Sequence, residues 1–181
     1  MRLDKKNIRK EMKRKRLDLD DETFSLYSHK IASILFKHKA YIKAKTVALY
    51  VSGRGEVDTY WIIEEAWHDK NVVVPKVKGK DLYFYKITSY DDLEKGYFNI
   101  MEPIEKEEVD IKNIDLFIVP LLCFDKNHYR IGYGGGFYDR ILKDYQGTKI
   151  GIAFSFQEIE NTYPEIWDIP LDEIITEEGI K

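Results

Sequence analysis

The chain has 181 residues, enough for about one domain whose core needs neither disulfides nor a metal staple. With 44% hydrophobic and 34% charged residues, a charged N-terminus and no apolar run near the roughly 20 residues of a membrane span, it reads as a soluble cytoplasmic protein rather than a membrane or secreted one. Its net charge of −3 is uneven: residues 1–16 hold nine Lys and Arg against Asp4 and Glu11, a local +7 on a body of −10. A bound polyanion is one explanation and a solvated helix face is the other.

In chain order, residues 4–17 read as a helix with Asp4 near its N-cap and a thin apolar stripe of Ile8, Met12 and Leu17. Lys5 and Arg9, four apart, project from one face of its first two turns. A second helix follows Asp20-Asp21-Glu22, whose acids suit the positive end of the helix dipole. It carries Phe24, Tyr27, Ile31, Ile34 and Leu35 at helical spacing. Residues 46–51 form an apolar β-branched run that predicts a buried strand, and the turn 52–59 leads to a third helix with Asp58 as N-cap. That helix buries Ile62, Ile63, Ala66 and Trp67. Residues 71–77 are the next strand, so the α-β-α-β rhythm predicts parallel strands joined by crossover helices.

Residues 82–87 are short and aromatic, which suits an edge strand or a small flap. Residues 88–112 lack a pattern, but segment 96–103 places aromatic and apolar residues, Phe98 among them, in a loop and so marks a ligand wall. Residues 116–124 give the strongest strand signal, 138–145 a short amphipathic helix, 149–154 another strand, and 167–176 a loop with a last short strand. Cys123, alone and within an apolar run, reads as a buried inert thiol. No repeat, linker or low-complexity tract interrupts the chain. The prediction is one α/β domain over residues 1–181, a Rossmann-like three-layer sandwich with a mostly parallel central sheet.

The stretch Arg130-Ile131-Gly132-Tyr133-Gly134-Gly135-Gly136-Phe137-Tyr138-Asp139-Arg140 holds four of the eleven glycines within five residues. Strand, glycine loop and helix start make a phosphate cradle, because glycine lets backbone N–H groups approach an anion and the helix start adds its dipole. No Gly-x-x-x-x-Gly-Lys precedes a Ser or Thr, so this is not a P-loop. Counted from Gly132, the sixth position of a dinucleotide fingerprint is Phe137 rather than glycine, so that motif fails too. Alone, the loop reads either as an anion site near a helix start or as a glycine-rich turn. Arg130 and Arg140 on its flanks favour the anion, as does Asp139, a carboxylate placed to hold magnesium against a phosphate.

Val119-Pro120, Phe124-Asp125 and the eleven residues from Arg130 to Arg140 together resemble the signature of the 5-formyltetrahydrofolate cyclo-ligase family, also called methenyltetrahydrofolate synthetases. Lys5-Lys6-Asn7-Ile8-Arg9, Gly55-Glu56-Val57-Asp58-Thr59, Asn99-Ile100-Met101-Glu102-Pro103 and Asp168 are similar to further family elements, in family order. The resemblance implies ATP- and Mg2+-dependent closure of 5-formyltetrahydrofolate to 5,10-methenyltetrahydrofolate, through phosphorylation of the formyl oxygen. It implies that Lys5, Arg9, Arg130, Ile131, Gly132, Tyr133, Gly134, Gly135, Gly136, Phe137 and Tyr138 contact ATP. By the same likeness Val51, Glu56, Phe98 and residues 133–137 line the folate pocket, Asp139 and Asp168 belong to the magnesium site, and Lys5, Arg130 and Asp139 are the catalytic groups. Three departures stand out. Leu121-Leu122-Cys123 replaces a smaller run, Phe137 stands where Tyr is common, and Tyr133 stands where some members have Arg.

The implied partners are two small molecules, with a monomer and neither nucleic acid nor membrane. Two rivals are a phosphate- or nucleotide-binding α/β domain that takes no folate, and an RNA-binding protein using the basic helix. A pI near 5.9 and the absence of an aromatic RNA-binding signature weigh against RNA.

Overall fold

The computed structural model describes residues 5–96 and 100–181, and the alternation of helix and strand takes shape around one twisted sheet. The first half supplies helices α1 (Lys5–Leu17), α2 (Asp21–Lys37) and α3 (Lys39–Lys43), strand β1 (Thr46–Ala48), helix α4 (Tyr60–Ala66) and strands β2 (Asn71–Lys78) and β3 (Asp81–Ile87). A short antiparallel pair follows, β4 (Leu93–Lys95) with β5 (Met101–Pro103). The second half contains β6 (Leu116–Val119), the two-residue strands β7 (Cys123–Phe124) and β8 (Arg130–Ile131), helix α5 (Phe137–Leu142), and strands β9 (Thr148–Ile152), β10 (Glu173–Thr176) and β11 (Gly179–Ile180).

The central sheet has the order β11-β10-β9-β6-β1-β2-β3. Its inner five strands run parallel, while β3 and β11 pair antiparallel at the two edges. The mostly parallel sheet and the edge position of the aromatic strand are as the sequence predicts. Parallel strands are buried on both faces, and here the two faces carry separate cores. One packs Ile31 and Leu35 of α2 and Ile62, Ile63 and Ala66 of α4 against Val47, Val72, Leu116, Ile118 and Ile150. The other packs Leu142, Tyr145 and Phe84 against Ala48, Val73, Phe117 and Val119. The three layers are therefore unequal, because α5 is the one helix among the described residues on the second face.

Local signals behave as polar chemistry dictates. Asp20 caps α2, its carboxylate accepting the Thr23 N–H at 2.8 Å. Asp58 is not the N-cap of α4. Thr59 holds that place, and Asp58 accepts the Tyr60 N–H one step earlier, at 2.9 Å. Trp67 sits just past α4 with its indole N–H donated to the Ile87 carbonyl at 2.9 Å, a core role. Leu17 does not join the apolar stripe of α1. It is 49% exposed, and Met12 is the buried anchor, with Ile8 packed beside it.

Two expected strands are shorter than drawn. The run 46–51 is a ladder strand only to Ala48, and the run 116–124 splits at Pro120, which has no N–H to give a sheet partner. Cys123-Phe124 then turns back to pair antiparallel with Arg130-Ile131. The glycine loop is thus fed by a small hairpin rather than directly by the sheet. The segment expected as a loop at 96–103 contains β5, and Phe98 and Asn99 lie outside the described residues, as does Asp4.

Strand β6 carries the chain to the loop, and Phe117 at its centre meets Phe84 and Tyr145 edge-on at 5.1 and 4.6 Å. Phe117→Ala is expected to cost about 3–5 kcal/mol, read from the urea unfolding midpoint, because neighbours on two elements lose their contact.

Candidate active site

In a parallel sheet, ligands bind beyond the carboxyl ends of the strands, at the point where strand order reverses. Here that point lies between β1 and β6. Strand β2 was added on one side of β1, whereas β6, β9 and β10 were added on the other. The chain leaving β1 forms the turn holding Val51 and Glu56. The chain leaving β6 passes Pro120 and forms the hairpin and the glycine loop. Two predicted half-sites are therefore brought face to face by topology.

The cleft at this point is lined by Lys5, Arg9, Pro120, residues 130–139, Trp167 and Asp168. Every residue expected to contact ATP lies on this lining, as do both expected metal-site carboxylates. They come from opposite ends of the chain, residue 5 and residue 168. Gly134 and Gly136 have φ of 107° and 65°, the left-handed region where a side chain is strained, so the loop cannot follow its path without glycine there. Gly136 is the N-cap of α5, which puts backbone N–H groups at the helix start beside the cleft.

Helix α1 is held against the loop by its cations. The Lys5 ammonium donates to Asp168 Oδ2 at 3.1 Å, and Arg9 Nε donates to the Gly132 carbonyl at 2.8 Å. Lys13, Arg14 and Lys15 lie on a solvated face of the helix, whereas Arg16 is buried. Lys15 pairs with Glu11 and Arg14 with Asp18 on exposed i, i+4 spacings. Arg130 is only 9% exposed, and its guanidinium donates to the Ile169 carbonyl at 2.7 Å and to Asp139 Oδ1 at 3.0 Å. The Ile169 N–H also donates to Asp139 Oδ1, at 3.0 Å. This knot joins the start of the loop, helix α5 and the segment carrying Asp168. Asp168 is fixed by a second bond, from the Glu165 N–H to Oδ2 at 2.9 Å.

Glu56 and Val51 do not line the same cleft. Glu56 is joined to it through Tyr133, whose hydroxyl donates to Glu56 Oε1. The phenols of Tyr50, Tyr133 and Tyr138 are all held above their ordinary range, first by burial of the hydroxyl and next by the charge of Glu56. The carboxylate therefore lies near all three phenols, and one of them, Tyr133, ties it to the loop. Val51 is buried beside β1.

Two residues of the site escaped the sequence reading. Arg16 lies seven residues after Arg9, on the same helix face, and bonds Tyr133. That spacing puts it on the docked face, but its burial shows only in the packed structure. Trp167, read only as part of a tail loop, is 65% exposed at the cleft, and no sequence pattern distinguishes it from a packing tryptophan. His128 has φ of 62° in the hairpin turn and does not line the cleft.

Fold and cleft together define an α/β protein with a glycine-lined crevice at a sheet switch point, bordered by a basic helix. The family model described as the 5-formyltetrahydrofolate cyclo-ligase family matches residues 2–177. A 5-formyltetrahydrofolate cyclo-ligase from Haemophilus influenzae is 31% identical over 184 residues, covering 94% of this chain and 96% of its own. One from Mycoplasma genitalium is 35% identical over 181 residues, covering 96% and 98%. Among solved structures, 5,10-methenyltetrahydrofolate synthetase from Aquifex aeolicus superposes with a TM-score of 0.89 at 39% identity, covering 98% of this chain and 91% of that one. The chain belongs to the 5-formyltetrahydrofolate cyclo-ligase family.

Beneath the loop, Cys123 packs with Met12, Leu122 and Ile131, and burial pushes its thiol up to about 12. A thiol-specific reagent at pH 8 is expected to label Cys123 rapidly after unfolding in guanidinium and negligibly in the native protein. Rapid native labelling would show that α1 does not seal this surface.

Proposed function

We propose that this protein converts 5-formyltetrahydrofolate to 5,10-methenyltetrahydrofolate with consumption of ATP. The observation that carries the reading is the joining of Lys5, Arg9, the glycine loop and Asp168 in one cleft, with Glu56 bound to its rim, in a member of this family. A formyl amide is a weak electrophile and its oxygen a poor leaving group. Transfer of the γ-phosphoryl group to that oxygen forms a new P–O bond and breaks the bond to ADP. Attack by N10 on the activated carbon then closes the ring, the C–O bond breaks, phosphate departs and N10 loses its proton.

The protein's contribution is positioning and charge neutralisation. Lys5 and Arg9 reach the phosphates from α1, backbone N–H groups of residues 132–138 cradle them, and Arg130 holds Asp139 while adding positive charge beside the cleft. Glu56 and Val51 serve the folate side, and residues 133–137 touch both substrates. Phe98 is assigned to the folate wall on family likeness.

Asp139 and Asp168 fit a magnesium ion. Each spends its two bonds on one oxygen, Oδ1 in Asp139 and Oδ2 in Asp168, leaving the other for a cation or its water. No cluster of three or more metal-ligating side chains occurs among the described residues. Two carboxylates completed by phosphate oxygens and water are what magnesium prefers. Bound there, the ion would neutralise charge on the β- and γ-phosphate oxygens.

No helix among the described residues is long and apolar enough to cross a membrane. We place the enzyme in the cytoplasm as a monomer acting on small molecules, where a buried single cysteine suits reducing conditions.

Purified protein with ATP, magnesium and 5-formyltetrahydrofolate should generate methenyl product, followed by its absorbance. Absence of product from folded protein would overturn the reading. Asp139→Asn should lower kcat/KM on the order of 100-fold with the fold retained. Lys5→Ala should raise the KM for ATP about tenfold or more, the worth of a charge-assisted bond, and leave the KM for the folate near wild type.

A further inference from the structure

Arg16 is a buried cation that does not itself line the cleft. It is 5% exposed, at the C-terminal end of α1, and among the described residues no carboxylate lies within ion-pair distance of it. Its Nη2 donates to the Tyr133 hydroxyl at 3.0 Å and its Nη1 to the Leu121 carbonyl at 3.5 Å. Its Nε is buried with no partner. Keeping a guanidinium from water without a counter-charge is unfavourable, so its retention here calls for a role other than stability.

The contacts around it lead to the Glu56 turn. Tyr133 is 47% exposed as a residue, yet its hydroxyl is committed at both ends, accepting from Arg16 and donating to Glu56 Oε1. The other carboxylate oxygen, Glu56 Oε2, accepts the Gly53 N–H at 2.7 Å. A carboxylate has about four acceptor positions. These two bonds therefore orient Glu56 and leave it capacity for the N–H groups of a ligand. The turn that carries Glu56 also rests on Arg16 directly. Gly55, at φ 79°, presents its α-carbon where a side chain would stand 3.4 Å from the Arg16 β-carbon.

We infer that Arg16 is a positioning residue for the folate-side carboxylate: it fixes Tyr133, and Tyr133 fixes Glu56 in the orientation that receives the pterin. The inference rests on the folate reading given above. Its consequence is that one helix serves both substrates. Lys5 and Arg9 face the nucleotide, and Arg16, about 16 Å of helical rise beyond Lys5, sets the folate side. Lysine would lack the rigid planar fork that aims two N–H groups, one at the hydroxyl and one at the carbonyl.

The test compares wild type, Arg16→Met, Tyr133→Phe and the double variant. Calorimetry measures binding of 5-formyltetrahydrofolate, and turnover gives the KM for each substrate. Each single variant should weaken folate binding about tenfold or more, as loss of a bond to a charged group does, and should raise the KM for the folate well beyond any rise in the KM for ATP. The double variant should be no weaker than Arg16→Met, because both lie on one relay. Tyr133→Phe leaves the buried guanidinium in place and keeps the test valid if Arg16→Met fails to fold. Variants that bind folate as wild type does, that lose ATP and folate equally, or whose effects multiply would overturn the role of Arg16 alone. A wild type that neither binds nor turns over the folate would overturn the folate reading and this inference with it.

Discussion

The site depends on a helix that is docked by its charges. Helix α1 has Met12 as its buried apolar anchor, with Ile8 beside it, too little surface to fix its position alone. What places it are cation-to-oxygen bonds spread along one face: Lys5 to Asp168, Arg9 to the Gly132 carbonyl and Arg16 to Tyr133. Each of those partners is itself part of the cleft. The interaction that positions the helix is therefore the one that assembles the site. A predominantly apolar interface would hold the helix as well but bring no charge to the cleft.

Sheet topology supplies the rest. Because β1 and β6 are neighbours whose following chains diverge, the glycine loop and the Glu56 turn emerge near one another at the switch point. Tyr133 joins them. The loop is then pinned at its far end by the Arg130–Asp139–Ile169 knot, so a segment rich in glycine has a defined path. The same knot ties in the segment carrying Asp168, which returns to Lys5. The ring of contacts is closed, running from residue 5 through the loop to residue 168 and back.

Much of this was legible in the sequence, for identifiable reasons. Parallel strands buried on both faces announce themselves as β-branched apolar runs, which is why β1, β2, β6 and β9 are legible, and the acidic run Asp20-Asp21-Glu22 marks the start of α2 through the helix dipole, with the cap role of Asp20 visible only in the structure. The glycine loop was located because its backbone path requires glycine. Where Pro120 interrupts an apolar run, hydrophobicity could not tell a sheet strand from a hairpin arm, and the two were merged into one. Residue type points to Asp58 as N-cap because its carboxylate can take an orphan N–H, and it does take that of Tyr60, but the helix starts one residue later, after Thr59, whose hydroxyl donates to the Tyr50 carbonyl instead of capping. Arg16 was lost among its basic neighbours. Composition describes a charged face, and only the packed structure separates Arg14 and Lys15, which pair on the surface, from the arginine two turns beyond Arg9 that is buried.

The account holds that folate ring closure and nucleotide cleavage are one process in one cleft. The direct measurement is the ratio of ADP to methenyl product, both assayed in the same reaction over several turnovers. One ADP per methenyl product, with no ADP formed when the folate is omitted, is the result predicted. Methenyl product formed without ADP, or ADP released at an undiminished rate without folate, would contradict it.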